Sequence, residues 1–155
     1  SREDGRGVLA IDMQSEPDLT IVLNGGSACP IRAEDCDGPD FKIYMEGGET
    51  FKRAVTEFSN SIDRVLAKAG KSLSDVKFFV PHQANLRIIQ AVAKRIGLPM
   101  EKVSVTLNKF GNSSSTSIGL ALNDALEKNK IKEGDLVLFT GFGGGFTWGS
   151  TLMIW

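Results

Sequence analysis

The sequence predicts an α/β fold with a mixed, mostly parallel sheet, helices on both of its faces and an antiparallel last strand. Apolar segments typical of strands alternate along the chain with segments whose apolar residues recur every three or four positions, as in amphipathic helices. Such alternation favours parallel strands joined by right-handed crossovers. Three consecutive glycines then separate the last two apolar segments, and a turn this tight makes the final strand antiparallel to its neighbour.

The first forty residues contain two strand-like segments and then a segment without a period. The stretch GRGVLAIDMQSE combines a glycine-rich turn with a short apolar strand, and LTIVL at 19–23 predicts a second strand. From 24 to 40 Gly, Pro, Asp and Ser predominate, which favours a functional flap or insertion. Because the chain has no initiator methionine and its first strand has no partner upstream, we expect it to be the later part of a longer protein.

Two helices and an intervening strand follow. Apolar residues at three- and four-residue steps predict a helix over 51–69, which a glycine ends. The apolar run at 75–80 predicts a strand that a proline ends, and the helical spacing returns over 86–96.

The last third of the chain predicts a strand, a helix and a hairpin. KVSVTL at 102–107 alternates as a strand does, and GNSSSTS at 111–117 supplies N-cap side chains for a third helix that runs through Leu126. The final segments, DLVLFTGF and FTWGSTLMIW, predict two strands joined by the glycine turn.

The composition excludes some classes of protein. At 155 residues the chain can bury a substantial core in one domain. Its 18 basic and 19 acidic residues nearly cancel, so the net charge does not suggest nucleic acid as a partner. No apolar run is long enough to cross a bilayer and no leader is recognisable, so we expect a cytoplasmic protein without a membrane partner.

Polar residues cluster where the predicted parallel strands end. Ligands in such folds sit beyond the carboxyl ends of the strands, a rule that selects residues 81–85, 108–113 and 142–145. These segments contain the only histidine, His82, then Asn112, and then the glycine run. We therefore expect three separate segments to bring polar groups to one edge of the sheet.

Each of these features also has a structural explanation. A single histidine at a strand end is more often a hydrogen-bonded structural residue, and Asn112 before a serine run is typical of a turn and a helix start. The glycines could serve a hairpin alone, yet three exceed what a turn needs and would present N–H groups to an oxyanion. Together, an imidazole N–H and a carboxamide N–H aimed at one point form a two-donor cradle for a thioester enolate or a similar oxyanion.

Cys29 and Cys36 lie in the aperiodic segment with six residues between them. This is not the spacing of a zinc-binding pair, and one distant histidine cannot complete a four-ligand site with them. We expect free thiols on a loop and no metal site.

Three motifs, PHQANLRII, NKFGNSSSTS and GFGGGFTWGS, occur together in one known family. In order and separation they resemble the C-terminal half of β-ketoacyl-acyl-carrier-protein synthase III, the condensing enzyme that starts bacterial fatty-acid synthesis. The resemblance covers nearly the whole chain and implies the thiolase fold, in which two similar halves pack as a five-layered sandwich, and a homodimer. Residues 1–16 would then be the last strand of the N-terminal half and residues 17–155 the C-terminal half.

The resemblance also implies roles for individual residues. His82 and Asn112 match the catalytic histidine and asparagine, which stabilise the enolate formed when malonyl-carrier protein loses carbon dioxide. Gly144 would give one oxyanion-hole N–H. The residues expected to lie behind these groups are Asn85, Phe142 and Phe51.

Four basic residues match positions where the family offers a basic surface to the acidic acyl carrier protein. They are Lys52, Arg87, Lys94 and Arg95. A solvated helix face explains Lys94 and Arg95 equally well, and charges at the rim of an interface mostly alter the rate of association.

The family's nucleophilic cysteine has no counterpart in this chain. Neither Cys29 nor Cys36 stands in a matching motif or in the strand-to-helix setting that lowers a thiol pKa. The chain would thus hold two of the three residues of a Cys-His-Asn triad, and the N-terminal half would have to supply the cysteine. We expect the chain alone to be inactive.

The implied reaction joins an acyl-CoA primer to malonyl-carrier protein by decarboxylative Claisen condensation, without a cofactor. One histidine argues against the elongating synthases, which use two, and the lack of a late cysteine argues against thiolases. Three alternatives remain open. They are a synthase III-like acyltransferase of specialised metabolism, a polyketide-type synthase, and a non-catalytic half-domain that only associates with a partner.

Overall fold

The computed structural model describes residues 5–17, 21–23 and 43–155, with strands in one four-stranded and one two-stranded sheet. The strands are β1 (Gly7–Ser15), β2 (Ile21–Leu23), β3 (Ile43–Met45), β4 (Phe78–Pro81), β5 (Leu136–Gly143) and β6 (Thr147–Ile154). The helices are α1 (Gly47–Ala69), α2 (Leu86–Ile96), α3 (Leu107–Phe110) and α4 (Thr116–Glu127), with 3-10 turns at Leu73–Asp75 and Met100–Lys102. The predicted flap at 24–40 lies outside the described residues, as do both cysteines.

The larger sheet has the strand order β1-β6-β5-β4. The β5–β6 hairpin is antiparallel, as predicted, and its turn contains Phe146 at φ 46° and Gly145 at φ 68°. β4 pairs with β5 in parallel, whereas β1 pairs with β6 antiparallel along nearly its whole length. The sheet is therefore mixed as predicted, but it has fewer parallel pairs than the sequence suggested.

The predicted strand at 102–107 is wrong, and Gln83 explains why. One parallel bridge forms, between Phe79 and Val103, and the segment then passes beyond the end of β4. There the buried Gln83 side chain replaces a neighbouring strand: its Nε2 donates to the Ser104 carbonyl (3.2 Å) and its Oε1 accepts from the Thr106 N–H (2.8 Å). Alternation in the sequence cannot distinguish a strand partner from a side chain that offers the same bonds.

The three long helices are confirmed. α1 begins four residues earlier than predicted, because its first turn contains glycines and Glu49 rather than apolar residues. α1 and α2 end at Gly70 and Gly97, which have the left-handed backbone that glycine adopts most easily. The expected side-chain cap of α4 is wrong, since Ser115 precedes the helix without such a bond.

The core lies on both faces of the sheet. On one face α1 and α2 bury Phe58, Ile62 and Ile89 against the sheet side chains Phe79, Leu138 and Leu152. On the other, α4 packs Ala121 and Ala125 against Phe78, Val80 and Val137. Successive residues of β4 and β5 thus point to opposite cores, which confirms helices on both faces.

Asp12 fastens β1 to α1. Its side chain is 1% exposed and accepts hydrogen bonds from Ser61 (2.8 Å), Arg64 (3.0 Å) and Lys68 (2.9 Å). Burial alone would raise the pKa of Asp12, but the bonds from Lys68, Ser61 and Arg64 outweigh it and hold the pKa below its usual value. These bonds link β1 to α1, and β1 also pairs with β6 in the larger sheet. The predicted domain boundary after residue 16 stays a prediction.

Replacing Gly149 with alanine should destabilise the β1–β6 pair. An added Cβ would lie 2.7 Å from the Asp12 carbonyl oxygen and 3.2 Å from Met13 Cγ, both closer than packing allows. Overpacking of this kind costs about 1–3 kcal/mol of unfolding free energy, measurable by urea denaturation. Gly119→Ala in α4 is the control, because a Cβ there meets nothing within 4 Å and alanine favours helix. Equal stability of the two variants would contradict the close approach.

Candidate active site

His82 stands at the end of β4 because its backbone extends the parallel pairing with β5. Its N–H donates to the Thr140 carbonyl at 2.7 Å, just after Pro81, the last residue of the strand. The ring then meets Phe142 edge-on, with centroids 5.7 Å apart, and Phe142 packs in the same manner on Phe58 of α1 (5.4 Å). The imidazole is thereby supported on one side by the core.

A cavity of about 640 Å³ opens in front of this ring. Its wall includes His82 and the two serines directly before α4, Ser114 and Ser115. Short stretches of β1, β5 and β6 also line it. The size suits a small organic ligand or the end of an extended one. The prediction that the 81–85 and 142–145 segments meet at one edge is confirmed through His82, Phe142 and Gly143.

Asn112 lies in the loop between α3 and α4, whose later residues line the cavity. Its side chain is exposed, and its Oδ1 accepts a hydrogen bond from the Ser114 N–H at 3.1 Å. This bond uses the acceptor end of the carboxamide and leaves Nδ2 as the end that can donate to a ligand. The Asn112 side chain is not itself part of the cavity wall, so its convergence with His82 on one atom stays a prediction.

A cation–π contact, an ion pair and a backbone hydrogen bond hold the glycine hairpin in place. Phe146 is fully buried, and the Arg53 guanidinium lies 3.9 Å from the centroid of its ring. Arg53 also donates to Glu16 at 2.7 Å, and the Glu16 N–H donates to the Phe146 carbonyl at 3.1 Å. Gly143 lines the cavity and Gly144 lies in the exposed turn beside it, so the predicted oxyanion role of Gly144 stays a prediction.

Two residues predicted to lie behind the catalytic groups have other contacts. The exposed Asn85 is the N-cap of α2, and its side chain accepts from the Ile88 N–H at 2.9 Å. Phe51 packs at the margin of the core, with the Arg87 guanidinium 5.6 Å from its ring centroid. Of the three residues assigned this role, Phe142 contacts His82 directly.

The four basic residues predicted to dock a carrier protein are exposed on α1 and α2. Lys52 lies one residue from Phe51, on which Arg87 rests, and Arg95 donates to Thr56 of α1 at 3.4 Å. Lys94 and Arg95 occupy the last turn of α2, where cations also favour the helix dipole. Lys52 also lies 3.8 Å from the Glu49 carboxylate, so the predicted basic surface, defined by these four residues, stays a prediction.

Gln83 and Ser117 contact the His82 segment but were not singled out from the sequence. Gln83 is fully buried, and besides its bonds to residues 104 and 106 it donates to the Pro81 carbonyl at 2.8 Å. Ser117 Oγ lies 2.6 Å from His82 Nδ1. Helical spacing places Ser117 on the same buried face of α4 as Ala121 and Asp124, a signal that could have distinguished it from its neighbouring serines.

The pKa of His82 should lie below its ordinary value of 6.5 because burial disfavours the charged ring more than the nearby Ser114 backbone favours it. The folded chain then binds fewer protons than the unfolded chain, so the His82 contribution lowers the unfolding free energy as the pH falls through 6.5. An NMR titration measures this, with the His82 signals identified by their loss in His82→Gln. A midpoint at or above 6.5 would contradict it.

No three potential metal ligands of the His, Cys, Asp or Glu type group together within residues 5–17, 21–23 and 43–155. Over the same residues, no helix is both long and apolar enough to cross a membrane. The lack of a cofactor stays a prediction.

A helix-covered mixed sheet with a histidine and a glycine hairpin at one edge defines the C-terminal half of a thiolase-like protein. Residues 66–155 match the family model described as 3-oxoacyl-[acyl-carrier-protein] synthase III C terminal. The chain belongs to this family.

Relatives and solved structures agree with this assignment. The chain is 45% identical over 136 residues to β-ketoacyl-[acyl-carrier-protein] synthase III of Oleidesulfovibrio alaskensis, covering 88% of this chain and 41% of that protein. For the same enzyme of Natranaerobius thermophilus the identity is 40% over 156 residues, covering 99% and 47%. The crystal structure of 3-oxoacyl-[acyl-carrier-protein] synthase III from Aquifex aeolicus matches with a TM-score of 0.85 and 39% identity, covering 100% of this chain and 46% of that one. The chain therefore spans about half the length of the relatives it matches.

Proposed function

We propose that this chain is the enolate-stabilising part of an acyltransferase that joins an acyl-CoA primer to malonyl-acyl-carrier-protein and so initiates fatty-acid synthesis. The observation that carries the proposal is the environment of His82, a half-buried imidazole at the wall of a cavity beside the glycine hairpin. Burial lowers the pKa of His82, so the ring stays neutral and can donate one N–H without a net charge.

In the proposed reaction the malonyl thioester loses carbon dioxide inside this cavity. The electron pair of the broken carbon–carbon bond forms an enolate, and its charge collects on the thioester oxygen. The His82 ring and the Asn112 carboxamide donate hydrogen bonds to that oxygen, which stabilises charge where it develops. The enolate carbon then attacks the acyl group held on the cysteine of the other half, the Gly144 N–H stabilises the resulting oxyanion, and the thiolate leaves.

The proposed partners and location are those that membership of the synthase III family implies. The N-terminal half supplies the cysteine, the acyl carrier protein delivers the malonyl group, and the complete enzyme is a cytoplasmic homodimer that needs no cofactor. A radiolabelled-malonyl assay of the complete enzyme tests the function: it should release labelled carbon dioxide and yield 3-ketoacyl-carrier protein. An enzyme that contains the cysteine, takes up the acyl group and still forms no such product would contradict the proposal.

Arg87→Glu should weaken docking of the carrier protein. Reversing this charge places a carboxylate within the basic surface, so KM for malonyl-carrier protein should rise about tenfold at low salt, while kcat changes little. The difference should shrink as salt screens the charges. Steady-state kinetics at two ionic strengths measure it.

Lys77→Glu serves as the matched control for this experiment, because Lys77 is also exposed but precedes β4, whereas α2 follows the other end of that strand. Equal effects of the two variants would mean that net charge matters and the surface does not. An unchanged KM for Arg87→Glu would favour a solvated helix face.

A further inference from the structure

Ser117 makes two hydrogen bonds that together constrain the protonation of His82. Ser117 is 1% exposed and lies in the first turn of α4. Its Oγ is 2.6 Å from His82 Nδ1 and 3.1 Å from the backbone nitrogen of Gln83. The three groups lie within one buried contact between α4 and the end of β4.

The direction of each bond follows from what the partners can offer. A backbone N–H can only donate, so the Ser117 oxygen accepts from Gln83. The hydroxyl keeps one hydrogen of its own, and within the described part of the chain the other atom bonded to this oxygen is His82 Nδ1. The hydroxyl therefore donates to Nδ1, and a neutral ring that accepts at Nδ1 has its proton on Nε2.

We propose that Ser117 is a positioning residue that selects the Nε2–H tautomer of His82 and so makes the ring nitrogen that does not face Ser117 the donor. This inference rests on the proposed function, in which an imidazole N–H must meet the enolate oxygen. The opposite tautomer would present a lone pair to that oxygen, and the site would lose one of its two donors. In other active sites, too, a residue hydrogen-bonded to one ring nitrogen of a histidine fixes its tautomer.

Gln83 strengthens the arrangement by fixing the backbone that supplies the second bond. Its side chain is held by the Pro81 and Ser104 carbonyls and by the Thr106 N–H, so the Gln83 N–H cannot easily turn away from Ser117. With that N–H in place, one lone pair of the Ser117 oxygen is occupied, and among the described residues His82 Nδ1 is the acceptor available to its hydrogen.

The test combines three variants of the complete enzyme with two measurements. Ser117→Ala removes the hydroxyl, Ser117→Thr keeps it, and Thr116→Ala changes the exposed residue next to it as a control. The ¹⁵N shifts of labelled His82 report the tautomer directly, with the signals assigned by their loss in His82→Gln. Malonyl decarboxylation is measured beside self-acylation by acyl-CoA, and thermal unfolding confirms that each variant folds.

We expect the Nε2–H form in the parent enzyme, in Ser117→Thr and in Thr116→Ala, and a growing Nδ1–H population in Ser117→Ala. Decarboxylation by Ser117→Ala should fall at least about tenfold, toward the roughly 10²–10³-fold cost of losing a whole oxyanion donor, with KM and self-acylation nearly unchanged. A folded Ser117→Ala enzyme with an unchanged tautomer overturns the inference, as does a folded Ser117→Thr enzyme as impaired as Ser117→Ala. A tautomer shift in an enzyme that never decarboxylates malonyl-carrier protein supports the positioning role and contradicts the proposed function instead.

Discussion

His82→Ala in the complete enzyme is expected to lower malonyl decarboxylation about 10²–10³-fold and to leave self-acylation by acyl-CoA largely intact. The imidazole donates to the enolate oxygen in the proposed mechanism, whereas acylation takes place on a cysteine from the other half. Single-turnover release of labelled carbon dioxide and mass spectrometry of the acylated enzyme measure the two steps separately.

The control for this prediction must come from the same region without touching the cavity. Gln90→Ala on the exposed face of α2 meets this requirement and should change neither step. The Phe142 ring loses its edge contact with the imidazole in His82→Ala, so the thermal stability of that variant must also be compared. Loss of both steps together, in a folded enzyme, would contradict a role confined to the enolate.

Helices α1 and α2 were predictable because each joins a regular apolar period to a glycine at its C-terminal end. The 3.6-residue period of α1 and α2 reflects burial on one face, and Gly70 and Gly97 supply the left-handed backbone that ends a helix. The first turn of α1 contains few apolar residues, so the sequence shows no helical period there. The side-chain cap of α4 was misjudged because the serine run contains several candidate caps, and the sequence does not show which of them precedes the helix or whether its side chain bonds to it.

The site was predictable where a strand end places a residue, and unpredictable where a side chain replaces regular structure. His82 follows directly from a strand that ends at Pro81, and its position could be derived from the sheet alone. The segment at 102–107 follows the Gln83 side chain instead of a strand, and nothing in its alternation reveals that. The bond from Ser117 depends on how α4 is oriented against the sheet, which is a tertiary property that local patterns do not contain.

Asn112→Asp is expected to impair decarboxylation as severely as Asn112→Ala, again about 10²–10³-fold. Aspartate keeps an oxygen that can accept from the Ser114 N–H, so the turn observed at 3.1 Å should survive, but it replaces the donating Nδ2 group with a second acceptor. The aspartate variant therefore separates the chemical role of Asn112 from its role in the loop, whereas the alanine variant removes both roles at once. Decarboxylation rates and thermal unfolding of both variants measure the difference. If Asn112→Asp retained most of the activity that Asn112→Ala loses, the asparagine would serve the turn between α3 and α4, and the enolate would depend on His82 and on some other donor.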